Sequence, residues 1–199
     1  MQNFTGKKYS DLLSTGRELF WKHGFRRVSI AEICSKAGVS KMTFYKYFTG
    51  KTELAKAVFA AEVEKGLQEF RTVMQSDVPV KEKVSAMLLY KLERTRNVSR
   101  EFLQDFYLGQ EPDLKQFVDD TTQRAWFELL SEYRYAQKNG IFRDDFKPEF
   151  LLLALTKLAE LLDDERLVCR YDSMQEVILE FANLMVYGIV NQGNNEICS

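Results

Sequence analysis

The stretch Ser29–Lys51, SIAEICSKAGVSKMTFYKYFTGK, decides the fold of the N-terminal part of this chain. Ser29 is followed three residues later by Glu32, a capping-box spacing that predicts the start of a short helix. Gly38 suits the left-handed end of that helix, and Ser40 suits the N-cap of the next one. Two short helices joined by a tight glycine turn are typical of a helix-turn-helix, whose second helix enters the major groove of DNA.

The second of these short helices has two chemically different faces. Apolar side chains at helical spacing are predicted to clamp it to the first helix; they are Ile33, Ala37, Val39, Phe44 and Phe48. The other side chains offer amino groups, hydroxyls and a thioether, which suit base edges and phosphates. The residues that we predict to contact DNA from this helix are Lys41, Met42, Thr43, Tyr45, Lys46 and Tyr47.

Residues next to these two helices are candidates for the phosphate backbone. Ser29 and Lys51 stand at the starts of their helices, where helix N-termini bind phosphate well. Alternatives remain open at several positions, because Tyr45 and Tyr47 suit packing and Lys46 suits plain solvation. Arg26 and Arg27 either reach phosphate or lie in a solvated loop.

The charge of the chain is unevenly distributed. Residues 1–51 contain ten basic and three acidic side chains, a balance of +7, whereas the rest of the chain carries −8. A basic N-terminal part on an acidic remainder indicates that the N-terminal part alone meets a polyanion.

The rest of the chain shows helical spacing of apolar residues and no alternating strand pattern. The predicted helices span residues 8–23, 29–37, 40–48, 52–75, 80–95, 99–108, 112–138, 148–166 and 172–190. We therefore predict an all-α fold. A three-helix head with the helix-turn-helix occupies residues 1–51, and a larger helical body for ligand binding and dimerisation occupies residues 52–199.

Several short elements of the N-terminal part follow one another at fixed spacing over about residues 8–56. They are Gly24-Phe25, Val28-Ser29-Ile30, Ile33, Ala37-Gly38-Val39-Ser40, Thr43-Phe44-Tyr45-Lys46-Tyr47-Phe48, Lys51 and Leu54. Together they resemble the DNA-binding domain of the TetR family of bacterial transcriptional regulators. The resemblance implies a homodimer that binds a near-palindromic operator, represses transcription, and is released when a small effector binds the body.

The resemblance also implies roles for individual residues. The positions of Lys41, Met42, Thr43, Lys46 and Tyr47 match those that face the groove in the family. The positions of Ser29, Tyr45, Tyr47 and Lys51 match those that contact phosphate. Met42 departs from the glycine that is frequent at its position, so the operator of a relative with glycine cannot be transferred to this chain.

Two C-terminal segments predict dimerisation. The helices at 148–166 and 172–190 are apolar on nearly all sides, and such helices are buried on nearly all sides. A second copy of the chain would cover them, and a deep core within one chain is the open alternative. The residues predicted at the interface are Leu155, Leu158, Leu162, Phe181, Leu184 and Met185.

Aromatic and apolar residues of the body are candidates for an effector pocket. They are Met87, Tyr90, Phe102, Phe106, Tyr107, Trp126, Phe127 and Tyr133. For any one of them, plain core packing is the more frequent role of an aromatic residue at helical spacing, and it is the open alternative. As a set they favour a small, largely apolar or aromatic effector.

An enzyme is disfavoured by the residues available. His23 is the single histidine, so neither a histidine-based metal site nor a catalytic triad can be assembled. No glycine-rich phosphate loop is present, and the acidic run 163–165 points to different faces of a helix. We therefore expect neither a metal nor a cofactor. A helical sensor or carrier of small ligands without DNA activity is the alternative, but it leaves the basic head unexplained.

The expected location is the cytoplasm. Cys34, Cys169 and Cys198 are odd in number and far apart, which argues against a disulfide framework. No segment has the roughly 18 consecutive apolar residues of a membrane span. The N-terminal residues do not have the pattern of a signal peptide either.

Overall fold

The computed structural model of this protein describes residues 6–109, 111–162 and 164–190, and these ranges form helices and no strands, which confirms the all-α prediction. The helices are α1 (Lys7–His23), α2 (Ile30–Ala37), α3 (Lys41–Tyr47), α4 (Lys51–Gln75), α5 (Val80–Arg94), α6 (Arg100–Tyr107), α7 (Pro112–Lys138), α8 (Pro148–Leu161), α9 (Glu165–Val168) and α10 (Met174–Ile189). No helix within these ranges is long and apolar enough to cross a membrane.

One predicted helix is wrong in its extent. The helix expected at residues 148–166 ends at Leu161, and α9 begins separately at Glu165. The cause is local, because the carboxylate of Asp164 accepts a hydrogen bond from the backbone N–H of Arg166 at 2.9 Å and caps α9. Asp163, which belongs to the predicted acidic run, lies outside the described residues.

The chain packs as two compact units. Unit 1 comprises the residues up to Val63 together with Asn97–Thr122, and unit 2 comprises Glu64–Arg96 together with the residues from Gln123 onward. The boundary between the compact units therefore does not lie at residue 51. The first part of α4, all of α6 and the start of α7 belong to the same unit as the head. The functional division at residue 51 stays a prediction.

The core of unit 1 is aromatic and joins α1 to α6. Phe106 of α6 is fully buried, and its ring centroid lies 6.1 Å from that of Phe20 and 4.6 Å from that of Phe102. The ring of Phe102 lies 4.1 Å from that of Trp21 on α1. The N–H of Ser99 donates to the carbonyl of Trp21 at 2.9 Å. This bond places the start of α6 next to the end of α1 in space.

The core of unit 2 gathers around a second group of rings. Tyr133 of α7 stacks on Phe70 at 5.3 Å and lies 5.4 Å from Phe142. Burial of Tyr133 raises the pKa of its hydroxyl to about 12, because the phenolate would lose its hydration. Nearby, the buried Lys83 donates from Nζ to the carbonyls of Val73 and Met74 at 2.9 and 3.0 Å, which satisfies carbonyl groups at the end of α4.

Candidate nucleic-acid interface

The helix-turn-helix is held by the caps that its sequence predicts. The hydroxyl of Ser29 accepts from the N–H of Glu32, and that of Ser40 accepts from the N–H of Thr43, each at 3.1 Å. Gly38 ends α2 with φ 65° and ψ 32°, in the left-handed region that costs glycine little. These local bonds fix where α2 and α3 begin, and Gly38 fixes where α2 ends.

The predicted apolar clamp is present. Ile33 and Phe44 are fully buried and Phe48 is nearly so, while Ala37 and Val39 are half-buried. Cys34 is a buried free thiol, as expected of a small core residue. Cys169 is an exposed free thiol, and Cys198 lies outside the described residues. α3 is therefore fixed to α2 through one side and leaves its other side available.

The predicted DNA-facing residues of α3 lie on that available side. Met42 is 73% exposed and Tyr45 is 56% exposed, and Lys41 and Lys46 are exposed as well. Tyr45 is therefore not a core residue, although its ring forms a T-shaped pair with that of Phe44, with the centroids 5.4 Å apart.

Two further residues of α3 combine packing with access. Tyr47 is half-buried and its ring lies 5.7 Å from that of Tyr9, so this side chain supports α1 as well as facing outward. Thr43 is half-buried, and its hydroxyl shares a 3.1 Å hydrogen bond with that of Ser40. Both retain partial exposure on the α3 side of the head.

The amino group of Lys51 is used inside the protein. It donates to the carbonyls of Phe25, Val28 and Arg26 at 2.8, 2.9 and 3.3 Å, and it lies 4.3 Å from the centre of the Phe25 ring. Burial lowers the pKa of Lys51, while the charges of Glu111 and Asp105 act in the opposite direction. The structure thus gives this ammonium a role in holding the loop between α1 and α2, which the sequence did not indicate.

Replacing Lys51 by methionine is expected to destabilise the protein by about 2 kcal/mol, because three carbonyl groups lose a charged donor. Urea unfolding followed by circular dichroism measures this loss. Lys46→Met is the matched control, and its exposed side chain predicts a change within about 0.5 kcal/mol. Equal effects of the two substitutions would show that the amino group of Lys51 does not hold the loop.

Asp105 of α6 also holds this loop. This carboxylate accepts from the backbone N–H of Arg26 at 3.0 Å and from its Nε at 2.6 Å. The next residue, Arg27, pairs with Glu101 of α6 at 3.3 Å. Sequence reasoning missed Asp105, although one signal was available: it lies three residues after Phe102 on the apolar side of a short helix.

The predicted effector-pocket residues divide between the two units. Phe102, Phe106 and Tyr107 belong to unit 1, where the first two are buried in its aromatic core. Packing accounts for these two rings. The remaining five belong to unit 2 and are Met87, Tyr90, Trp126, Phe127 and Tyr133. Among them, Met87 and Tyr90 pack against the core that contains Tyr133, whereas Phe127 is 67% exposed.

The predicted dimer residues have three different environments. Leu184 of α10 is 71% exposed, whereas Leu162 is buried. Phe181 and Met185 are half-buried, and Met185 packs against the core of unit 2. Leu155 and Leu158 belong to α8, and their side chains lie outside the described residues.

Comparison with known proteins places these features in a family. The family model described as bacterial regulatory proteins, tetR family, matches residues 12–58. The chain is 26% identical to the uncharacterized HTH-type transcriptional regulator YdgC of Bacillus subtilis (strain 168), over 92% of this chain and 93% of YdgC. The match to residues 12–58 covers α2, the glycine turn and α3.

Two solved structures share the fold over nearly their full length. The fatty acid degradation regulator FadR of Bacillus halodurans superposes with a TM-score of 0.67 at 16% identity, over 94% of this chain and 98% of FadR. The reduced form of E. coli NemR superposes with a TM-score of 0.66 at 20% identity, over 92% of this chain and 97% of NemR. The helix-turn-helix and the family match assign residues 12–58 to the DNA-binding domain of the TetR family of bacterial transcriptional regulators, and the whole chain shares its fold with these two regulators.

Proposed function

We propose that this protein is a ligand-responsive repressor that binds a near-palindromic operator as a homodimer through α3. The observation that carries the proposal is the exposed side of α3, where Lys41, Met42 and Lys46 stand on a helix fixed by Phe44 and the Ser40 cap. A rigid helix with exposed donors meets the requirement for reading a major groove. This surface favours a DNA-binding protein over a sensor without DNA activity and over an enzyme, and its setting would be the cytoplasm.

The contacts with DNA divide into base and phosphate contacts. Lys41 and Lys46 would donate to base acceptors or phosphates, Thr43 would do either, and Met42 would contact a thymine methyl group. Ser29, Tyr45 and Tyr47 would bind phosphate oxygens. The amino group of Lys51 already donates to three carbonyls of the loop. At the start of α4, phosphate would therefore be bound by the backbone N–H groups of the first turn, which lack partners within the helix.

Dimerisation rests on exposed apolar side chains of α8 and α10. Phe150 and Leu153 of α8 and Leu184 and Tyr187 of α10 are all exposed in the single chain. Large exposed apolar side chains on two helices mark a surface for another protein. A second copy of the chain would cover this surface and place two copies of α3 at two operator half-sites.

The effector would bind in unit 2. Met87 and Tyr90 are half-buried beside the rings of Tyr133, Phe70 and Phe142. This setting is apolar and aromatic, so it favours a small ligand of the same character. Binding there would lower the affinity for the operator, and this coupling makes the repressor responsive.

A pair of lysine substitutions tests the DNA interface. Lys46→Ala is expected to lower the affinity for a duplex that the protein selects from a random-sequence library by about tenfold, because a phosphate or base contact is lost. Lys36→Ala is the control, because it removes the same charge from an exposed lysine of α2. The amino group of Lys36 is paired with Glu18 at 2.6 Å, so its loss should affect DNA binding less. Fluorescence anisotropy at several salt concentrations measures both.

The outcome separates two interpretations of α3. A selective loss for Lys46→Ala supports groove binding by α3, whereas equal affinities of the two variants would show that α3 is not the reading helix. Transcription from a promoter that carries the selected duplex can be compared with and without the protein. Lower transcription in its presence would support repression, and higher transcription would assign activation instead.

A further inference from the structure

We propose that Arg26, in the loop between α1 and α2, binds a DNA phosphate, and that Asp105 of α6 positions its guanidinium for this contact. The proposal rests on the DNA interface proposed above. It adds a residue that the α3 surface does not include, and it makes α6 part of the arrangement that binds DNA.

Asp105 holds Arg26 at two points. Its carboxylate is only 4% exposed. One oxygen accepts from the backbone N–H of Arg26 at 3.0 Å and the other accepts from Nε at 2.6 Å. A buried carboxylate with two hydrogen bonds to one residue fixes both the backbone of the loop and the direction of the side chain.

The geometry leaves the outer part of the guanidinium available. Asp105 uses Nε, and the Arg26 side chain is 62% exposed. Within the described residues, neither Nη atom of Arg26 donates a hydrogen bond to another protein group. The two Nη atoms of a guanidinium form a planar fork that matches the spacing of phosphate oxygens. An arginine held through Nε is therefore prepared to bind phosphate with its Nη atoms.

The loop also stands next to a favourable site for an anion. Arg26 precedes by three residues the N-cap Ser29 of α2, and α2 is eight residues long. The first N–H groups of a helix favour negative charge, so a phosphate near Ser29 would meet both the helix N-terminus and Arg26. Lys51 fixes the carbonyls of Phe25 and Val28 in the same loop, which limits its movement.

Arg27 provides an internal comparison. It carries the same charge on the same loop and is also exposed, but its Nη1 atom is paired with Glu101 at 3.3 Å. Glu101 is itself partly exposed, so this is a surface ion pair that holds its arginine weakly. Arg27 therefore has neither a buried carboxylate to direct it nor an unoccupied fork.

The test compares Arg26→Gln with Arg27→Gln on the library-selected duplex. Arg26→Gln is expected to weaken binding roughly tenfold near 0.1 M salt and to reduce the slope of log affinity against log salt by about 1. Arg27→Gln is expected to stay within about threefold of the parent protein. Equal behaviour of the two variants would overturn the proposal.

A double-mutant cycle tests the positioning role of Asp105. Asp105→Asn keeps an acceptor for the backbone N–H of Arg26 but loses the charge that directs the guanidinium. It is expected to weaken binding in the parent protein and to have little further effect in Arg26→Gln. Equal losses in both backgrounds would show a merely structural role for Asp105 and overturn its assignment. If Asp105→Asn does not fold, the comparison of the two arginine variants decides the proposal alone.

Lys46→Ala distinguishes this proposal from the proposed function. If Lys46→Ala weakens binding and Arg26→Gln does not, the DNA interface stands and the role of Arg26 is overturned. If neither substitution changes affinity, the α3 interface and the role of Arg26 both fail.

Discussion

Replacing Phe106 by alanine is expected to destabilise unit 1 by about 3–5 kcal/mol, the range for removing a fully buried phenylalanine. The Phe106 ring lies 4.6 Å from that of Phe102 and 6.0 Å from that of Phe59, centroid to centroid. A cavity among these rings would lose contacts that neighbouring aromatic groups cannot replace without moving. Because α6 is joined to α1 through this core, the loss should also weaken DNA binding.

The fluorescence of Trp21 offers a direct measurement. Trp21 lies 6.1 Å from Phe106, and replacing Trp126 by phenylalanine leaves Trp21 as the single tryptophan. Urea unfolding in that background would report on unit 1. Met42→Ala is the control, because this apolar side chain lies in the same unit, is 73% exposed and predicts a change within about 0.5 kcal/mol. If Phe106→Ala changes the free energy of unfolding as little as the control does, the Phe106 ring does not stabilise the core. Its prediction as an effector-pocket residue would then regain support.

Replacing Leu184 by glutamate is expected to separate the proposed homodimer into monomers. The side chain is exposed in the single chain and would be buried between two copies, where an unpaired carboxylate is strongly destabilising. A monomer reaches only one half-site at a time. Affinity for a duplex with both half-sites should therefore fall by about 100-fold or more.

Light scattering at micromolar concentration distinguishes the two states. The parent protein should have about twice the chain mass of 23.2 kDa, and Leu184→Glu should have the single-chain mass. Leu89→Glu on α5 is the control, since this leucine is also exposed but lies outside α8 and α10. A single-chain mass for the parent protein, or an unchanged mass for Leu184→Glu, would contradict an interface that includes Leu184.

The parts of the fold that the sequence predicts are those determined by neighbouring residues. Ser29, Gly38 and Ser40 act within three or four positions of themselves, and each occupies its predicted cap. The exposed side of α3 was predictable for the same reason, because helical spacing separates Phe44 from Met42 and Lys46.

The parts that the sequence does not predict depend on residues far apart in the chain. The bond between Arg26 and Asp105 spans 79 positions, and no local pattern indicates it. The three carbonyls that accept from Lys51 lie 23 to 26 positions away in the chain. Its position at the start of a helix predicted a phosphate contact and gave no sign of these bonds. Spacing also cannot tell whether the rings of Phe102 and Phe106 face a ligand or Phe20 and Trp21.

The composition of unit 1 has a consequence for protein synthesis. Because this unit joins residues up to Val63 with Asn97–Thr122, a nascent chain that has emerged only to Val63 has its helix-turn-helix but lacks α6. Phe20 and Trp21 would then have no ring of α6 to pack against. At about 5–20 residues per second, roughly two to nine seconds pass before Tyr107, at the end of α6, has emerged as well. During this interval the DNA-binding part is translated but its aromatic core is incomplete, so it matures only after the first segment of unit 2 has been made.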